Sequence, residues 1–312
     1  MRLQQTNIRL NWATFDTVLD TTFVDAHTNA QLTIILKVCL RQNAGAPRIM
    51  RMPQMTSRTR MSSAGSVRDG LRHNFVFDRF DPVVWNRFTS FYQSEGQRFW
   101  DGNFWLVIPD DFDATEWLPA SQRSVDSVAS RHSATISPHP VLRPAIDCRF
   151  SLQLVGEPSG AHTTIDVYNI VRNMTSVPGV VGATYPFRAH SRSFDASVLE
   201  LNDHVGTDLY TGEPITTSQR TFIHELGHSI GLEHVGVNMA IEGCVNTDVH
   251  NTVICYGNTF ESRQNVMGAG ETLSWHEALP WRVAMEALTG VNRHLWRVNQ
   301  SHVGPQRVLR TG

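Results

Sequence analysis

The chain has 312 residues, 41% of them hydrophobic and 18% charged, with a formal net charge of -2. That is enough apolar material for one large core or two smaller ones, and the charge balance gives no electrostatic case for nucleic acid as a partner. No run approaches the ~20 consecutive apolar residues that a membrane span needs.

Polar residues interrupt the N-terminus through Asp20, and no apolar stretch follows the first charges, so a secretory signal is not visible. Residues 1–24 read as a lead segment. The chain is expected to be soluble, and either intracellular, a mature fragment, or exported without a cleaved signal. Gln31–Leu40 (QLTIILKVCL) is β-branched and apolar enough for a buried strand. Arg41–Asn74 is rich in Arg, Met, Ser and Gly, with Asp69 its single acid, and reads as an exposed insertion near 41–75. A bare arginine excess (Lys37 is the only lysine) does not itself make a binding surface.

Asp81-Pro82 is a helix start, an N-cap followed by proline at the first helical position. The helix is expected to about Arg98, with Val84, Trp85, Phe88, Phe91 and Tyr92 on one side. Asn103–Ile108 is a short apolar strand, and a polar, Ser-rich insertion follows near 110–146. Cys148–Val155 and Thr163–Val171 read as two strands around a Pro158-Ser159-Gly160 turn; Val180–Phe187 and Ser197–Asn202 add two extended candidates. Cys244 and Cys255 are close enough to close a short loop worth roughly 3 kcal/mol on the chain-entropy model. They can equally stay thiols in a reducing compartment.

Thr216–Val235 (TTSQRTFIHELGHSIGLEHV) carries the chemistry. A capping-box pattern, Thr216-x-x-Gln219, predicts a helix over 217–231 with Phe222, Ile223, Leu226 and Ile230 at helical spacing. On it His224 and His228 are i and i+4, so both imidazoles leave one face and can reach a single metal. Glu225 sits beside the first ligand, placed to hold a water without ligating the metal. Gly231 falls where the helix should stop and can take the left-handed conformation that turns the chain back. That reversal lets His234 supply a third ligand. Three imidazoles and one open position are the donor set of a catalytic zinc ion rather than a structural one.

This H-E-x-x-H-x-x-G-x-x-H run resembles the zinc signature of the metzincin metallopeptidases, matrixin-like or a divergent bacterial member. Asn265-Val266-Met267-Gly268, some tens of residues later, is similar to their methionine turn; Met267 would then be an apolar floor under the histidines. The resemblance implies an α+β fold: a twisted mixed sheet with a backing helix and the active-site helix above, and a small irregular lower subdomain ending in a C-terminal helix, Ala278–Thr289. The expected division is an upper subdomain at 25–235, a lower one at 236–295 and a tail at 296–312. The implied activity is a zinc-dependent endopeptidase, with Zn2+ on His224, His228 and His234, Glu225 as general base, and a peptide or protein substrate laid along the 180–187 edge at Gly182, Ala183, Thr184 and Tyr185. Tyr256 and His276 are candidates for a second oxyanion donor. The chain departs from the family in having Ala269 where some members carry a tyrosine, and it has no cysteine segment that would cap the zinc. Two further readings stay open, a non-catalytic binding module on the same fold and a hydrolase of cell-wall peptide cross-links delivered outside the producing cell as a toxin or effector.

Overall fold

The computed structural model describes residues 2–22, 28–42, 48–51, 74–109, 112, 145–173, 191–247 and 250–298. The fold is α+β, with antiparallel and parallel pairings in the same sheet. Two compact units divide the chain, one of residues 1–36, 97–152 and 274–312, the other of residues 37–96 and 153–273. This division falls elsewhere than the expected boundary after residue 235.

In the first unit, β1 (Arg2–Leu10) and β2 (Ala13–Asp20) form a hairpin through Asn11, whose φ is 52°. Residues 2–20 of the expected lead segment thus form two paired strands. The polar residues that break up an apolar run lie on the exposed side of β1, while Ile8, Leu10, Phe15, Val18 and Leu19 are buried. Strand β2 pairs with the first part of β3 (Thr28–Gln42), opposite Leu32 and its neighbours. Ala30, Leu32, Ile34 and Leu36 alternate inward at the two-residue period of a strand. β6 (Phe104–Val107) pairs with β7 (Ala145–Leu154), and β12 (Arg297–Val298) with β6. Phe104 and Trp281 pack with tilted rings, centroids 5.2 Å apart, in this core, and the Trp281 indole N–H donates to the Arg149 carbonyl at 2.9 Å, so a large ring is buried with its polar atom satisfied.

In the second unit, the end of β3 runs parallel to β8 (Thr163–Asn173), Val38 opposite Thr163. β5 (Asn74–Asp78) pairs with β8 and β4 (Arg48–Arg51) with β5, both antiparallel. The expected insertion near 41–75 thus contains one whole strand, β4, and the start of β5; residues 43–47 and 52–73 lie outside the described residues. β9 (Ser193–Asp195) adds to β8 in parallel. The 197–202 strand is corrected to a 3-10 turn, Ala196–Leu199, followed by β10 (Leu201–Thr207). Asp195 accepts the Ser197 N–H and hydroxyl and so closes that turn.

The backing helix α1 spans Pro82–Trp100, and Asp81 Oδ1 accepts the Val83 N–H at 2.8 Å, as its N-cap position predicts. Its buried stripe is narrower than expected: Phe88 and Tyr92 are buried, but Val84 and Phe91 are 50% and 39% exposed. Phe88, Tyr92, Phe194 and Phe222 form the aromatic core of this unit, with ring centroids 5.5 to 6.4 Å apart. Each such pair contributes about 0.5–1.5 kcal/mol beyond its burial.

Candidate metal centre

The predicted capping box does not form. Thr216 and Gln219 belong to strand β11 (Pro214–Arg220), which pairs antiparallel with β10, Val205 opposite Thr216 and Asn202 opposite Gln219. The β-branched run Ile215-Thr216-Thr217 favours the pleated conformation, and the Gln219 amide is used elsewhere. Its Nε2 donates to the carbonyls of Val266 (2.8 Å) and Gly270 (2.7 Å), tying the strand to the methionine turn. The helix, α2, begins only at Thr221 and ends at Ser229.

Ahead of it Arg220 is buried with its charge matched. Its backbone N–H and its guanidinium both donate to Glu271, and a second arm reaches Glu95 at 3.2 Å. Seven of the nine α2 residues are buried, including His224 and Glu225. Packing of the β11–α2 corner, rather than a local start signal, fixes where the histidines face.

His224 and His228 stand one turn apart, ring centroids 4.6 Å and planes at 89°. Gly231 then turns the chain with φ at 89°, a region that costs a residue with a Cβ about 1–2 kcal/mol. The reversal has two consequences. It brings His234 back to the other imidazoles, and it presents the Leu232 carbonyl to His228 Nδ1 at 2.8 Å. His224 Nδ1 makes the matching bond to the Val266 carbonyl, also 2.8 Å. A carbonyl can only accept, so both Nδ1 atoms carry the proton and both Nε2 atoms present a lone pair. His228 Nε2 lies 3.1 Å from His224 Nε2 and 3.2 Å from His234 Nε2, and the three ligand atoms all fall within 4.8 Å of one another.

The three histidines lie close enough to bind one metal ion, and the donor set fits it. With metal–nitrogen bonds of ~2.0–2.1 Å, a tetrahedral edge is about 3.3–3.4 Å, near the two Nε2 separations. Lone pairs facing each other at that distance repel unless a cation lies between them. A proton there would charge a buried imidazole; burial, with His234 next in effect, pushes His224 down to about 3. The carbonyls on Nδ1 supply the outer contacts that orient histidine ligands in metal sites.

The segment around Met267 supports the histidine cluster through its backbone. Met267 is fully buried. Its carbonyl accepts the Val235 N–H, next to His234, and its own N–H donates to Asn265 Oδ1 at 2.7 Å. Val266, one residue earlier, holds His224. Tyr256 reaches the cluster, its ring 4.4 Å from that of His234 and 5.9 Å from that of His224. The Cys244–Cys255 disulfide closes the segment just before Tyr256, with Cα atoms 4.8 Å apart. Cys39 and Cys148 are free and buried. His276 is not one of the clustered histidines; it stacks on Trp275, centroids 3.6 Å apart.

Glu225 lies on α2 between the first two histidines and is 8% exposed. Burial pushes its carboxyl up to about 8, into the range of an acid-base group working near neutrality. Gly182, Ala183, Thr184 and Tyr185, the expected substrate edge, lie outside the described residues. Sequence reasoning missed Gln219, Arg220 and Glu271 as supports of the site. Only the glycine-rich turn preceding Glu271 hinted that the segment packs closely.

No protein-family model matches the sequence, and no curated protein or solved structure matches it either.

Proposed function

We propose that this chain is a zinc-dependent endopeptidase of metzincin type, with His224, His228 and His234 as the metal ligands and Glu225 as the general base. The observation that carries the reading is the convergence of three imidazoles, two of them with Nε2 lone pairs fixed by Nδ1–carbonyl bonds, with the buried Glu225 next to His224 in sequence and outside the ligand set. Zinc, when bound, supplies Lewis acidity that makes water a stronger acid near neutrality and polarises a carbonyl oxygen. Glu225 takes the proton of the attacking water and hands it to the amine that leaves. Tyr256, whose ring lies 4.4 Å from that of His234, is the candidate donor to the oxygen that gains charge. The matrixin-like upper and lower subdomains and the substrate edge at 180–187 belong to the same reading. The disulfide at Cys244–Cys255 supports an oxidising destination outside the producing cell.

The test is a matched pair of variants. Glu225→Ala should keep about one zinc per chain and the wild-type melting temperature, yet lose ~10²–10⁴ in cleavage rate on a broad peptide library. His234→Ala should lose zinc. Cleavage by Glu225→Ala at the wild-type rate would sink the base assignment, and undiminished zinc in His234→Ala would sink the ligand set. The library should include peptides built like cell-wall cross-links. Cleavage of none of these by zinc-loaded wild type would favour the binding-module reading.

A further inference from the structure

The 3-10 turn Val253–Tyr256 lies beside the metal centre, against the one-turn helix α3 (Val235–Asn238) that follows His234. On one side its backbone touches Gly236. A Cβ there would come within 2.9 Å of the Cys255 Cα and of the Ile254 and Cys255 carbonyl oxygens. On the other side, a Cβ at Gly268 would meet the Tyr256 carbonyl oxygen at 2.7 Å. Only glycine at 236 and 268 lets the backbones come so close. The turn is thus a wedge between the second residue after His234 and the first after Met267, and the Tyr256 ring lies 4.4 Å from that of His234.

The backbone bonds of the wedge are local. The Cys255 N–H donates to the Thr252 carbonyl and the Gly257 N–H to that of Ile254. Among the described residues no backbone hydrogen bond ties Ile254 or Cys255 to Gly236. The tie runs through the disulfide instead. Cys255 is bonded to Cys244, eleven residues earlier. The Cys244 N–H donates to the Ile241 carbonyl, and the Ile241 N–H donates to the carbonyl of Gly236 itself. The disulfide therefore closes a ring of contacts that clasps the wedge onto the chain carrying His234.

The two sulfurs differ in access, for Cys255 is fully buried and Cys244 only partly. A dithiol reaches Cys244. Its thiolate attacks Cys244 Sγ, the S–S bond breaks, and Cys255 leaves as a thiolate. Thr252 Oγ1, 3.4 Å from Cys255 Sγ, can turn its hydrogen toward that charge. The second thiol of the reductant then resolves the mixed disulfide; two electrons and two protons pass to the cysteines, and the dithiol ends as a cyclic disulfide. We propose that the Cys244–Cys255 disulfide is a redox clasp on the metal centre: closed, it seats His234 for the ion, and opened by a dithiol it frees the wedge from α3 and lowers metal affinity. The inference rests on the three-histidine ligand set proposed above, and not on peptide cleavage. A reducing cytoplasm keeps the clasp open, so the chain loads its metal fully only where the surroundings are oxidising.

The experiment measures the zinc affinity of the full chain by competition with a chromophoric chelator. Oxidised wild type should bind zinc about tenfold or more tighter than the double variant Cys244→Ala, Cys255→Ala, the scale of loss seen when contacts behind a metal ligand are removed. Wild type that is reduced and then alkylated with iodoacetamide, so that its freed thiols cannot take up zinc, should match the variant; it keeps the test alive if the variant does not fold. All three forms should retain their near-UV circular dichroism, because the clasp is local. Equal zinc affinity in the three overturns the proposal. So does loss of the near-UV signal on reduction, which would make the disulfide a support of the whole fold. Affinity is the readout, so a chain that responds to reduction yet cleaves no peptide supports the clasp while sinking the endopeptidase reading. A chain that takes up no zinc in either state sinks the ligand set and the clasp with it.

Discussion

Helices α1 and α2 touch through Tyr92 and Phe222, yet they begin in opposite ways. α1 opens on local chemistry, with Asp81 capping two backbone N–H groups and Pro82 starting the first turn, and it has a solvent face on which Val83 and Val84 are exposed. α2 has no side-chain cap, follows directly from β11 and is buried on nearly every side. Its start is held by long-range partners instead: Gln219 on the methionine turn, and Arg220 on Glu95 and Glu271. A helix with an ordinary supporting role can be specified by its own sequence. One that must hold two of the three clustered histidines to close tolerance is fixed from outside, because its ends are occupied by the site.

That contrast can be broken by substitution. The largest effect is expected from Arg220→Ala, which leaves Glu95 and Glu271 without their buried cation; a loss of about 3–5 kcal/mol should appear as a lower denaturation midpoint, with weakened metal binding. A loss below 1 kcal/mol would mean that the α2 start does not depend on this network. Gln219→Ala removes both bonds to the methionine turn and should cost about 2 kcal/mol. Val266 is one of the two carbonyls freed, and it also orients His224, so metal affinity should fall with stability; unchanged affinity would separate the turn from His224. Asp81→Ala tests the local kind of start and should cost about 1 kcal/mol with metal affinity untouched. Tyr92→Phe should be the mildest, for the Tyr92 hydroxyl is buried without a partner. Deleting it should leave stability unchanged or raise it by up to about 1 kcal/mol; a clear loss would reveal a bonded hydroxyl.

The same contrast marks how far the sequence could be read. The α1 start, the alternating core of β3 and the offsets of His224, His228, Gly231 and His234 were all legible, because each depends on neighbours within about one helical turn or one strand pleat. The i, i+4 spacing alone puts two imidazoles on one face, and a glycine at the helix end alone permits the reversal that returns the third. The sequence also suggested a capping box at Thr216 and Gln219, a lead segment at the N-terminus and an open loop across 48–51. Those expectations failed for one physical reason. Thr216 lies in a strand because Val205 lies opposite it, the first residues form a hairpin because β3 offers β2 an edge, and Arg48–Arg51 is paired because β5 is beside it. Backbone groups go where partners satisfy them, and those partners are distant in sequence. The residue types at the metal centre were thus determined by the sequence. Tertiary structure alone decided which carbonyls fix their tautomers and which acids hold Arg220.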